Sequence, residues 1–232
     1  MNRAPLGDAR LSHDARAALD RLLRVHGPDG LKAALLPWFE RVLERLAARP
    51  LDERRSLLLA VRRLLTATGP GRPIDRLLWL LVRRGFGDQP GPALRVPPEI
   101  DIAMLPDMPL AELARYTAHL ARMVPAEEAA AAGRSWYLAV MAQWQPAAEV
   151  PPCDPPDVDT MVLALTALQR LSWIQRPLLV RSWVGAALEH SHAGGLTSGA
   201  ADALRLTCRL LDSPMPPELA RHYIALPTEM ST

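Results

Sequence analysis

Apolar residues return at three- and four-residue spacing along most of this chain, and a proline or glycine cuts each such run after a few turns. The runs include Leu31, Leu35, Trp38, Val42, Leu43 and Leu46, then Leu57, Leu58, Val61, Leu64 and Leu65, then Leu110, Leu113, Ala114, Ala118 and Leu120. That period places one apolar stripe on each helix, and the Pro and Gly breaks end one helix before the next begins. Leucine and alanine dominate the apolar set and β-branched residues are few, which favours helix over strand. The expected fold class is all-α. With 232 residues the chain is long enough to bury a core without disulfide or metal staples.

Taken in order, Ser12 is placed to cap a helix carrying Leu19, Leu22, Leu23 and Val25, which Gly27-Pro28 stops. The next stripe contains Pro37, so a kink or a helix start is expected there. Pro50-Leu-Asp52 reads as a turn ending in a capping Asp, and Gly87 closes a helix running from Ile74 to Phe86. From Asp88 to Asp107 the chain is rich in proline and lacks periodicity, as a linker or surface strap would. Helices resume from about Pro109 to Met123 and from Pro125 to about Trp144. A second proline tract, Pro146 to Pro156, then leads to the closing helices, with Ser198 as a cap. Three segments are expected: an N-terminal helical module over 12–87, a proline-rich strap with a helical hairpin over 88–156, and a C-terminal helical module over 157–226.

The outer two look alike. Leu43-Glu-Arg-Leu46, Arg55-Ser-Leu-Leu58, a Gly break at 69–71 and Ile74 to Val82 trace one pattern. Leu168-Gln-Arg-Leu171, Arg176-Pro-Leu-Leu179, the Gly194-Gly195 break and Leu196 to Leu211 trace it again, as two related modules would.

Composition excludes several function classes. The net charge of +2 is too small for a nucleic-acid binder. Its carrier is arginine, since Lys32 is the only lysine, and arginine is the better residue for bidentate carboxylate and phosphate contacts. Cys153 and Cys208 have neither the spacing of a zinc site nor that of a disulfide framework. Arginines interrupt every leucine-rich segment, so no run is long and apolar enough to span a bilayer. Met1-Asn-Arg-Ala-Pro-Leu-Gly-Asp lacks an apolar leader core, and a cytoplasmic location is expected, including the inner face of the membrane.

No residue constellation reads as a catalytic centre, and no cofactor is expected. His190 and His192 flank Ser191 without a third metal ligand beside them, and a solvated helix end suits them better. Ser191 and Ser198 have no assigned base. Of Trp38, Trp79, Trp136, Trp144, Trp173 and Trp183, most should anchor helix packing. Trp144 and Trp173 stand at element ends, where an aromatic at a groove makes an interaction hot spot. Arg54, Arg55, Arg62 and Arg63 form two cation pairs on adjacent faces of one helix. Acids such as Glu40, Glu44, Asp52 and Glu53 can pair with them, and an Arg/Leu helix can also meet an anionic membrane surface.

Ala193-Gly-Gly-Leu-Thr-Ser-Gly-Ala-Ala-Asp-Ala-Leu-Arg205 and Leu210-Leu-Asp-Ser-Pro-Met-Pro-Pro217 resemble the C-terminal region of large bacterial membrane-anchored zinc metallopeptidases. That region is similar to the TerB-like helical fold of tellurite-resistance proteins. Looser matches at Arg54-Arg-Ser-Leu-Leu58 and Glu127 to Arg134 extend the likeness over roughly residues 33 to 222. The departures are specific. His-Glu-x-x-His does not occur, Ala193 and Ala200 stand at loop positions where the relatives carry acids, and Leu78 takes the corresponding place in the first unit. A hard cation needs clustered carboxylates, so the resemblance implies an accessory helical module without the protease or a divalent-ion site. The expected role is a non-catalytic protein-interaction or regulatory adaptor near a membrane-associated process, with a protein partner. The alternative is an enzyme or small-ligand binder whose pocket lies between the modules.

Overall fold

The computed structural model describes residue 24 and residues 34–67, 71–87, 109–124, 130–191 and 195–223. Regular structure among them is entirely helical. The chain divides into two compact units, Met1–Glu40 with Tyr223–Thr232, and Arg41–His222. Apart from residue 24, the helix expected after Ser12 lies outside the described residues, as does the first proline tract up to residue 108.

Helix α1 covers residues 34–47, so Pro37 lies inside a helix rather than beginning one. It is followed by α2 (Leu51–Ala67), α3 (Pro73–Phe86), α4 (Leu110–Leu120), α5 (Ala130–Met141), a 3-10 turn (Ala147–Glu149), α6 (Val158–Gln169), α7 (Gln175–Glu189), α8 (Ser198–Leu210) and α9 (Pro217–Ala220). Each start has a local cause. Pro73 supplies a preset φ at the first position of α3, and the Asp75 carboxylate accepts from the Arg72 amide at 2.8 Å. Asp157 accepts from the Thr160 amide at 2.7 Å and caps α6. At α7 the bonding is reciprocal: the Gln175 amide donates to Ser172 Oγ and the Ser172 amide to Gln175 Oε1, both at 3.2 Å.

Two starts differ from expectation. Thr197, not Ser198, caps α8, because its hydroxyl accepts from the Ala200 amide at 3.2 Å. Asp52 lies within the first turn of α2 instead of capping it, where its charge still suits the positive helix end.

Within the larger unit described helices from all three expected segments pack on one another. Helix α3 lies on α2 and α8, α4 on α5 and α6, and α7 on α5 and α8. The core is built from Leu113, Tyr116 and Leu120 of α4, Trp136 and Met141 of α5, Met161 and Leu168 of α6, and Leu179 and Trp183 of α7, with Leu204 and Leu210 of α8. A buried polar seam crosses it. Trp183 Nε1 donates to Thr117 Oγ1 at 3.0 Å, and the Trp183 ring lies 5.5 Å from that of Tyr116. Thr207 Oγ1 donates to the Ala203 carbonyl at 2.9 Å, which leaves Tyr116 to donate its hydroxyl proton to Thr207 at 3.1 Å. These bonds tie α7 to α4 and α4 to α8.

The second proline tract is no free linker. Its prolines lack N–H donors, but their carbonyls accept from the core: Tyr137 Oη donates to the Pro151 oxygen and Arg76 Nη1 to the Pro156 oxygen, each at 2.8 Å. Pro156 itself is buried.

Leu179 and Leu204 are both fully enclosed, as their places on apolar stripes predict. Truncating either to alanine is expected to cost about 2–5 kcal/mol in denaturant unfolding. Gly133 tests the packing from the other side. A Cβ there would stand 2.4 Å from the Ala121 carbonyl oxygen, so the α4–α5 contact requires glycine. In an isolated helix Gly→Ala stabilises by about 1 kcal/mol. Gly133→Ala is expected instead to destabilise the protein, by about 1–3 kcal/mol, measured by the same unfolding curves.

Candidate functional site

The four arginines singled out on α2 do not share a face. Leu51, Arg54, Leu57, Leu58, Val61 and Leu65 form its half-buried stripe, whereas Arg55, Arg62 and Arg63 are exposed. Helix α2 rests on α3, and Arg54, at helical spacing with the leucines, has its Nε buried without a hydrogen-bond partner. The outward face therefore carries three cations with Leu59 and Leu64 between and beside them, both exposed.

The two tryptophans also part company. Trp173 is 74% exposed, the largest exposed aromatic among the described residues. It follows Ser172 directly, so the Ser172–Gln175 cap fixes the backbone that presents it. Trp144 is half-buried at the end of α5, its Nε1 enclosed and unpaired. Gln143 beside it accepts from Ser182 Oγ at 2.8 Å, and Ser182 lies roughly 13 Å farther along α7 than Trp173. Trp136 and Trp183 are core, as expected of most tryptophans.

A site that no single stretch of sequence signals lies at the C-terminus of α8. The last carbonyls of a helix have no partner within it, and here side chains from three other helices supply the donors. Arg84 Nη1 donates to the Arg209 oxygen at 3.0 Å and to the Leu210 oxygen at 2.5 Å. Gln169 Nε2 reaches the same Leu210 oxygen at 2.7 Å, and Arg176 Nη1 the Leu211 oxygen at 2.6 Å. The chain then turns through Asp212, whose φ is 48°. The Ser213 amide returns to the Cys208 oxygen at 2.9 Å and the Asp212 amide to the Arg209 oxygen at 3.4 Å, the two bonds of a Schellman ending. Glycine would take that φ with less strain. The carboxylate of Asp212 instead pairs with Arg84 and stands 3.9 Å from Arg176.

Beside this knot a cleft of about 480 Å³ opens between α1, α3 and the end of α8. Leu43, Leu81, Gly85 and Cys208 line it with Arg84, Asp212, Arg209 and Glu44. These charges are matched in pairs, Arg84 with Asp212 and Arg209 with Glu44, so the wall offers a ligand no uncompensated charge. Asp75, the late acid of the first Gly loop, is engaged as the α3 cap. His190 donates Nδ1–H to the Ala186 oxygen at 2.9 Å, and His192 lies outside the described residues. Among the described residues no three His, Cys, Asp or Glu side chains converge as metal ligands would.

His119 on α4 was not foreseen. It is fully buried, and its Nε2 lies 3.1 Å from the Pro73 oxygen, which makes that nitrogen the donor. Nδ1 is buried with no partner. Burial, reinforced by Arg76 and Arg122, pushes the ring pKa down from 6.5 to about 4.

Comparison with family models, with curated proteins and with solved structures returns no match to this chain. The site is therefore read from its own geometry.

Because His119 binds a proton more weakly folded than unfolded, stability unaffected above pH 6.5 is lost as the pH falls toward 4. The expected loss is about 3 kcal/mol. His119→Gln keeps an N–H for the Pro73 oxygen and cannot titrate, so unfolding curves of this variant should lack that component between those pH values.

Proposed function

We propose that this chain is a non-catalytic helical adaptor that engages a protein partner through the first turn of α7. The observation carrying this reading is Trp173, exposed to 74% yet set on a capped helix start. Ile174, Pro177 and Leu178 continue the apolar surface, with Leu178 50% exposed, and Arg181 follows one turn on. Tryptophan and arginine are the residues that dominate binding energy at interfaces. A backbone already held in place reduces the ordering cost of association. The TerB-like resemblance supports the same role, through the Gly195-Leu-Thr-Ser198 entry to α8 and the Pro214-Met-Pro-Pro217 exit, and it adds a regulatory setting near a membrane.

The cleft of about 480 Å³ favours a second reading, a small-ligand site between α1, α3 and α8. Its paired charges make it the weaker of the two, since a ligand would have to displace ion pairs that also hold the helices.

Trp173→Ala and Leu178→Ser should move the unfolding midpoint little, because neither side chain is buried. Each should weaken capture of a partner from host extract by tenfold or more, about 1.4 kcal/mol or above, with little dependence on salt. Unaltered capture by both variants removes the α7 face from consideration.

A further inference from the structure

Helix α7 packs inward on α5 and α8 and buries Leu179, Val180, Trp183, Val184, Ala186 and Ala187. At helical period its opposite side carries Ile174, Leu178, Arg181, Gly185, Leu188 and Glu189. Gly185 stands at the middle of that side. Glycine weakens a helix interior, and at Gly133 the Ala121 carbonyl accounts for it. At Gly185 nothing in the described chain does, because an added Cβ would meet no atom of another described element within 4 Å. Four residues before it is Arg181 and four after it Glu189, both exposed, so the three lie along one i±4 row of the helix surface. The two charges are about 12 Å apart along the axis, too far to pair with each other. Among the described residues neither charged end has a hydrogen bond or an ion pair.

We infer that two copies of this chain associate through this row, their α7 helices crossing antiparallel at Gly185. A two-fold axis at the crossing sets Arg181 of each copy opposite Glu189 of the other, so one row supplies two ion pairs. The facing glycines let the two backbones approach, and i±4 rows meet one another in the commonest class of helix packing. Self-complementarity favours a second copy over an unrelated partner. Opposite charges placed at equal distances on either side of a gap in the side chains match their own image under a two-fold rotation, and an unrelated surface has no reason to repeat that symmetry. One helix crossing buries less than a standard interface, so the dimer is a weak and reversible one. The crossing lies about 18 Å along α7 from Trp173 and does not rest on the reading of the first turn.

The test is sedimentation equilibrium of the full chain from micromolar to millimolar concentration. The mass should rise from 25.5 kDa toward twice that value, and less so at high salt, which screens exposed pairs. Arg181→Glu alone and Glu189→Arg alone each set like charges opposite one another at two places, and each should weaken association about tenfold or more. Combining Arg181→Glu with Glu189→Arg rebuilds both pairs with their polarity reversed and should restore the dimer. Gly185→Leu fills the gap and should abolish it while the monomer keeps its helices, since the added Cβ has room and leucine favours helix. Circular dichroism checks that point; if this variant loses helix, the charge reversals decide. Trp173→Ala should leave association unaltered. A single 25.5 kDa species at every concentration, full dimerisation by a folded Gly185→Leu chain, or a double reversal that stays monomeric overturns the inference. So does a dimer lost in Trp173→Ala and indifferent to the charge reversals, since that would place the contact on the first turn of α7.

Discussion

The architecture of the larger unit depends on the unmet carbonyls at the end of α8. Such groups cannot be left in a protein interior without a donor, and the local Schellman turn satisfies only part of the need. Arg84 from α3, Gln169 from α6 and Arg176 from α7 complete it, converging on the oxygens of Arg209, Leu210 and Leu211. Three helices are thereby drawn to one point. Hydrogen bonds from cationic donors are the stronger kind, and Asp212 holds both arginines in place from the far side. The buried seam of Trp183, Thr117, Tyr116 and Thr207 does the equivalent work in the middle of the unit. Apolar stripes bring the helices together, and these polar contacts select one arrangement from the many that leucine-rich surfaces would tolerate.

That division of labour explains what could be read from the sequence. Stripes and punctuation are local, so the all-α class, the burial of Leu179 and Leu204 and the Gly87 stop are all visible in short windows. Partners far apart in the chain were not. Arg84 looks like any surface arginine until the α8 terminus is beside it, and Thr207 looks like an indifferent helix residue until Tyr116 arrives from 91 positions away. His119 gives no signal because its stripe position is equally suited to an apolar residue. The Pro146–Pro156 tract resembles a linker because proline withdraws donors, yet its carbonyls remain available to Tyr137 and Arg76.

The candidate faces show the same limit at smaller scale. Spacing alone put Arg54 with Arg55, Arg62 and Arg63, but which side of α2 turns toward α3 is a tertiary fact, and it removes Arg54 from the outer face. Trp173, at an element end, is exposed. Trp144, also at an element end, is half-buried with its indole nitrogen enclosed, a difference that sequence position does not carry. At the end of α8 arginine serves this protein through its several donors: the half-buried guanidiniums of Arg84 and Arg176 bind the last carbonyls of another helix.

The knot at α8 also has a consequence in time. Arg84 and the Leu210 oxygen are separated by 126 positions. A ribosome adding roughly 5–20 residues per second takes on the order of ten seconds to cover that distance. Throughout that interval α3 exists without the carbonyls it is built to hold, and its apolar side has no α8 to cover it. Until then α3 has only α2 among the helices it packs on, and the contacts to α8 that complete its burial cannot form. Folding of the larger unit can therefore finish only after the last turn of α8 has been made.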